Sequence, residues 1–328
     1  MEASISESKL QTRKRFDWGS LTIVFLTMAL FVFLAMTSST FLSFNNIQSI
    51  LYGVSINFFV MIGFTFLIIM GELDLSVGSV CAFSGMMVGT LMRSGYGLVI
   101  SIVISLVLCA VIGFVNGFFV VKFKVSSMMI TLGSLTAVRG LANVLCSNLY
   151  GYEYPHAYQD VVKVRIGSGP QALYLTIAVM IVLAIVLEFL LVRSSVFKKL
   201  YFVGNNIESA KIYGVKSGLF KIIIFIVSGL TAGIGGILTG ARLSYADTSI
   251  GLGLEFTILT AVVLGGASLR GGKGSILLST VGLIFLSLIF SGMIIHNIDP
   301  LIQRLIVGVI LIVSVYIDSR MRSLDEAR

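Results

Sequence analysis

Apolar runs about as long as a membrane is thick recur along this chain, and that recurrence limits its fold more than any single motif. A helix needs about 20 mostly apolar residues to cross a hydrocarbon core. Ten runs qualify: 21–37, 47–70, 75–92, 98–121, 126–147, 172–192, 222–240, 254–269, 275–295 and 301–317. They are too long for barrel strands, whose alternating segments run to roughly 10 residues. Charge content agrees, since only 12% of the 328 residues are charged, about half the level that a water-facing surface carries. The expectation is an all-α integral membrane protein: a polytopic bundle of about ten transmembrane helices forming a single domain over 1–328. The eighth run is short and polar at both edges, which predicts a broken or re-entrant element.

The basic residues set an orientation. Net charge is +8, which by itself fits either nucleic-acid binding or membrane topology. With the first residues inside, external loops hold only Arg93, Lys163, Arg165 and Arg242, and Arg139 and Arg304 fall within spans. The remaining seventeen of the 23 lysines and arginines lie in cytoplasmic segments. That bias is the positive-inside pattern, so no nucleic-acid partner is expected. Both termini are placed in the cytoplasm, with tails at 1–20 and 318–328 and a long inner loop at 193–221. Arg13-Lys14-Arg15 ahead of Leu21–Thr37 could head a cleaved leader, but the run is long for one and is read as a retained span. Cys81, Cys109 and Cys146 sit inside apolar runs without CxxC spacing, and His156 and His296 are isolated. Neither a disulfide framework nor a metal site is predicted.

Three segments carry polar chemistry. In Gly71-Glu72-Leu73-Asp74-Leu75-Ser76-Val77-Gly78-Ser79, two carboxylates and two hydroxyls interrupt strongly apolar sequence. A charge at a helix centre costs about 2.5–3.5 kcal/mol on insertion scales, so Glu72 and Asp74 need an interface, a wet cavity or a helix N-terminus. Two readings stand: a capped turn at the membrane surface, or a discontinuous element lining a transport path. The second segment is Val203 to Val215. Asn205 and Glu208 have capping-box spacing, Gly214 is a helix stop, and a helix of about two turns between them would carry an apolar face of Ile207, Ala210 and Ile212. The third runs from Glu255 to Ser275, with Gly265, Gly266, Gly271, Gly272 and Gly274. Gly272-Lys273 does not complete a phosphate loop, which would need glycine at Ala267 and a hydroxyl residue at Gly274. Arg139, deep in the fifth run, requires a partner that the sequence does not name. The pairs Gly85/Gly89, Gly113/Gly117, Gly229/Gly233 and Gly236/Gly240 predict close helix packing within the bundle. The external tyrosines Tyr150, Tyr152, Tyr154 and Tyr158 are expected in the interfacial belt.

In this order, GELDLSVGS (71–79), MITLGSLTAVRG (129–140), VGNNIESAKIYGV (203–215) and EFTILTAVVLGGASLRGGKGS (255–275) resemble the membrane permease subunits of bacterial ABC importers for monosaccharides. The relevant group is the ribose, arabinose, xylose and galactose type. The likeness spans about residues 40 to 320. It implies a translocation path or helix break involving Glu72, Asp74, Ser76, Gly78, Glu255, Gly265 and Gly266. It also implies an ATPase-coupling loop of Gly204, Asn205, Asn206, Ile207, Glu208, Ala210, Ile212 and Gly214. The implied partners are a second permease subunit, identical or not, a cytoplasmic ATPase with two nucleotide-binding halves, a periplasmic sugar-binding protein and membrane lipid. No cofactor is expected in this chain, ATP and Mg being held by the ATPase, and the location implied is the bacterial inner membrane. An ion-gradient-driven carrier using Asp74 or Glu188 is the alternative. An embedded enzyme is disfavoured, because no nucleophile–base or metal constellation is apparent.

Overall fold

The computed structural model describes residues 18–147, 152–169, 171–247 and 249–326. Its helices are α1 (Trp18–Thr37), α2 (Phe44–Ile69), α3 (Val77–Arg93), α4 (Leu98–Phe123), α5 (Ser127–Leu145), the single turn α6 (His156–Gln159), α7 (Leu175–Arg193), α8 (Ser195–Asn205), α9 (Ile207–Ile212), α10 (Ser217–Leu243), α11 (Leu254–Leu264), α12 (Ile276–Ile295) and α13 (Pro300–Glu326). A two-residue hairpin, β1 (Arg165–Ile166) with β2 (Leu173–Tyr174), pairs antiparallel in the long loop before α7. The protein is an all-α membrane protein. Among the described residues, seven helices (α2, α4, α5, α7, α10, α12 and α13) are long and apolar enough to cross a bilayer.

The other three expected runs form shorter apolar helices, Thr22–Thr37 within α1, α3 and α11. The eighth run is indeed broken. α11 has 11 residues, or about 17 Å at 1.5 Å per residue, and the chain then turns at Gly265. The 193–221 loop holds more helix than expected: it contains two helices, α8 and α9, and α10 begins at Ser217 rather than 222.

α10 is the hub, packed most extensively on α4, α2 and α3. Small residues explain why. In lipid no hydrophobic force presses helices together, so close van der Waals packing must do so. Gly229 and Gly233 let α10 lie against Cys109 of α4, and Gly236 and Gly240 let it lie against Cys81 and Gly85 of α3. The glycine pairs therefore pack inside the bundle, as expected. α2 runs antiparallel to α10, with Gly63 on Ser228 near one end and Tyr52 under the Arg242 guanidinium near the other. α5 and α13 lie at the periphery of the chain.

The end opposite α8 and α9 is closed by tyrosines, and here the belt expectation fails. Tyr158 is wholly buried and donates to the carbonyl of Ile237 at 2.9 Å, while Tyr154 is buried against Gly89. Both rings wedge between α3 and α10 because Gly89 and Gly240 leave room for them. Tyr152 instead lies half-buried beneath Arg93, and Tyr150 falls outside the described residues.

Replacing Gly236 with leucine forces a side chain into Cys81 and Ser84. We expect a loss of about 3 kcal/mol from overpacking, read as a lowered thermal midpoint in detergent. Gly308→Leu, where nothing lies within 4 Å, should change stability by less than about 0.5 kcal/mol. Equal effects from the two variants would refute the packing account.

Candidate functional site

α2 ends at Ile69, and Gly71 turns the chain with φ +75°. The following stretch, Glu72 to Ser76, is not helical, yet it lies within the bundle. Backbone groups there have no water to bond and need protein partners. Four N–H groups of the stretch find them within the protein. The Glu72 N–H donates to Leu67 O at 2.9 Å, and the N–H groups of Leu73 and Leu75 donate to Ser127 Oγ and Thr131 Oγ1, both at 3.1 Å. These two hydroxyls stand one turn apart on α5 and replace the helix ladder that the break removes.

Asp74 anchors the stretch from the other side. It is 1% exposed. Its Oδ1 accepts from the Ser76 N–H at 3.0 Å and from Ser76 Oγ at 2.5 Å, and its Oδ2 accepts from Ser228 Oγ at 2.8 Å. Ser76 Oγ in turn accepts from Asn116 Nδ2 at 3.0 Å. One carboxylate thus joins the break to α10 directly and to α4 through Ser76. Ser228 stands eleven residues into α10, so Asp74 lies about 16 Å along that helix. The stretch is therefore a non-helical break buried within the bundle. Glu72, nearer the end, forms an ion pair with Lys221 at the start of α10, and both side chains are largely buried.

A second discontinuity faces the first. α10 stops at Ser244, whose φ is +65°, and the chain re-enters before α11 begins after Gly253. Gly78, in the first turn of α3, sits against the Gly251 carbonyl and the Glu255 carboxylate, and a Cβ at 78 would overlap both. The N-termini of α3 and α11 thus meet inside the bundle. Arg139 of α5 joins them: its Nη1 donates to Ile250 O at 2.6 Å and its charge lies near Glu255. These are the partners the sequence could not name. Gly265 and Gly266 are not part of this cluster. Gly265 backs onto Leu278 and Ser279 of α12 at the far end of α11, where the two glycines turn the chain into the 265–275 loop. Glu188 belongs to that end as well, accepting from Ser275 Oγ at 2.9 Å and the Leu277 N–H at 3.2 Å.

At that same end α9 projects from the bundle. Its cap is Asn206, whose Oδ1 accepts from the Ser209 N–H at 3.0 Å. The expected cap, Asn205, is instead the last residue of α8, and the cap of α9 lies one residue later. Glu208 does not reach back to the cap; it bonds Lys211 Nζ at 2.8 Å. That hydrogen bond and the Lys211 charge hold the Glu208 carboxyl below the usual carboxylate range. Gly214, at φ +78°, ends the helix as expected, with its N–H on Lys211 O and that of Val215 on Ala210 O, a Schellman-type stop. The expected apolar face divides. Ala210 turns inward and is 2% exposed, whereas Ile207, Ile212 and Tyr213 point outward at 38%, 84% and 86%. Tyr213 lies just past the last helical turn, outside the face that helical spacing picks out. Gly204 is not on this outer surface at all; it packs on Ile69 and Gly272. Among the described residues, no three His, Cys, Asp or Glu side chains gather as a metal site would require.

A family profile described as branched-chain amino acid transport system / permease component matches residues 46–315. The chain is 31% identical over 301 residues to the L-arabinose ABC transporter permease protein AraH of Azospirillum brasilense, covering 92% of this chain and 88% of the relative. It is 27% identical over 306 residues to the autoinducer 2 import system permease protein LsrC of Photorhabdus luminescens, covering 92% and 90%. It is 29% identical over 294 residues to the ribose import permease protein RbsC of Bacillus subtilis, covering 89% and 90%. No solved structure matches the chain at a significant level. With broken helices inside a membrane bundle, and a profile match that runs from α2 into α13, the chain belongs to the family of transport-system permease components.

Proposed function

We propose that this chain is the membrane permease subunit of an ATP-driven ABC importer for a monosaccharide or a related small polyol. The observation that carries the reading is the meeting of two discontinuous helices, at Gly78 and Glu255, in a bundle whose one end presents the small apolar helix α9. Discontinuous helices are where transporters place their paths, and a six-residue helix is too short to stand alone in water. Ala210 fastens it to the bundle, which leaves Ile207, Ile212 and Tyr213 as a surface for a second protein. The cargo class follows the relatives' names, which include L-arabinose and ribose.

In this reading α9 faces the cytoplasm and docks on a separate ATPase with two nucleotide-binding halves, which holds ATP and Mg. The charge bias supports ten spans with both termini cytoplasmic, in the bacterial inner membrane, and a single permease domain over 1–328. A periplasmic sugar-binding protein would deliver cargo to the tyrosine-closed end. Glu72, Asp74, Ser76, Gly78 and Glu255 would line or hold the path; Gly265 and Gly266 would only turn the chain beside the coupling end.

A second permease subunit is supported by α5. It has the lowest mean hydropathy of the seven spanning helices, 1.4. Gly133, Thr136, Gly140 and Asn143 lie exposed on it at helical spacing. A face so polar is a poor fit to lipid tails, and small residues invite another helix.

Two outcomes check these assignments. Ile207→Glu with Ile212→Glu should leave insertion intact and reduce ATPase co-purification about a hundredfold, since each tenfold is about 1.4 kcal/mol; stoichiometric ATPase on the double variant would overturn the docking surface. In a chain with Cys81, Cys109 and Cys146 replaced, Thr136→Cys should cross-link to a second permease subunit in native membranes. Failure to cross-link, with the protein correctly inserted, would remove α5 from the subunit interface.

A further inference from the structure

Gly71, Gly204 and Gly271–Gly272 come from three distant segments and meet backbone to backbone at the α9 end. The Gly272 N–H donates to Ile69 O at 2.8 Å, tying the last turn of α2 to the loop between α11 and α12. Gly204, near the end of α8, is pressed into that junction. A Cβ there would overlap the Ile69 carbonyl oxygen and stand 2.6 Å from Gly272 N. A Cβ on Gly271 would stand 2.8 Å from Gly71 N, 2.9 Å from Gly204 O and 3.0 Å from Gly204 Cα. Asn205 lies against Gly272, Tyr201 donates to Gly274 O at 2.8 Å, and Leu200 and Val203 are buried in the core. α8 is therefore fixed to the 265–275 loop along its inner side, with α9 attached directly to its end.

We propose that Gly204 is the transmission point of the subunit: displacement of α9 reaches the Asp74 break through contact of the Gly204 backbone with Ile69 and Gly271–Gly272. The inference rests on the reading of α9 as an ATPase-docking helix. Backbone pressed on backbone has no rotamer to absorb movement, and a close-packed interior transmits strain rather than yielding to it. The distance to cover is short, because Gly71 and the ion-paired Glu72 separate Ile69 from Asp74 by only a few residues. The opposite side of α9 leads through Val215 into α10 and Lys221, the partner of Glu72. Both ends of the lever thus act on one stretch, Gly71–Glu72. Gly204 is a positioning residue in this scheme; it touches neither the ATPase nor the cargo.

The experiment uses the whole transporter, with its ATPase and binding protein, in lipid vesicles. Cargo uptake and ATP hydrolysis are measured on the same preparation of Gly204→Ala. The expected result is a complex that retains its ATPase but consumes about tenfold or more ATP per molecule imported, the scale of a small misplacement far from the chemistry. An unchanged ratio overturns the proposal, and so does loss of the ATPase from a folded subunit, which would make Gly204 a docking residue. Should Gly204→Ala fail to assemble, Tyr201→Phe decides. It removes only the hydrogen bond to Gly274, and we expect the ratio to rise about twofold or more; no rise overturns the proposal. Failure of the docking reading shows separately, as ATPase retained by the Ile207→Glu and Ile212→Glu double variant.

Discussion

A peptide group inside hydrocarbon has no water to bond, and the centre of this protein is arranged around that restriction. Breaking a membrane helix at Gly71 strands N–H groups that an intact helix would satisfy itself. Ser127 and Thr131 on α5, and Asp74 within the break, take up that load. A carboxylate in such surroundings is costly unless it is fully bonded; three hydrogen bonds to one carboxylate meet the requirement and fasten α10 to the break. The break is therefore held from both sides. Any movement of it must be a movement of the helices that hold it.

Those helices divide into a close-packed centre and a loosely held rim. α10 gains its position by bringing glycines against the backbones of α3 and α4, and α2 is buried along most of its length. α5 combines both characters, since its Ser127 and Thr131 support the break while its outer side stays exposed. A bundle built this way suits rigid-body tilting, because close-packed contacts persist as a unit and adjustment falls to the periphery.

Much of this was legible in the residues. The weak eighth run, the glycine pairs and the Gly214 stop follow from hydropathy and backbone rules, and the structure agrees with each; of the ten expected spans, seven are long and apolar enough to cross a bilayer among the described residues. The Asp74 segment could be located but not decided, since a capped turn and a buried break use the same residue types. What separates them is Ser228, which is 154 positions away, and sequence spacing does not reveal such pairs. Ser127 and Thr131 left a faint signal as hydroxyls one turn apart. Asn205 and Asn206 show the resolution limit of cap rules: two adjacent asparagines both fit, and the preceding helix α8 decided which one was free to cap. Tyr154 and Tyr158 went inward because Gly89 and Gly240, distant in sequence, made space for them.

The exposed apolar side chains at α9 are Ile207, Ile212 and, just past its end, Tyr213, while Ala210 is the residue of the helix that is buried. Under the importer reading, recognition of the motor and retention of the lever are carried by different side chains on a single pair of turns. Ile207, Ile212 and Tyr213 can therefore diverge between paralogous systems in one cell without disturbing the pore behind them. Each permease would keep its own engine, or borrow a neighbour's, through changes confined to a surface smaller than a single helix.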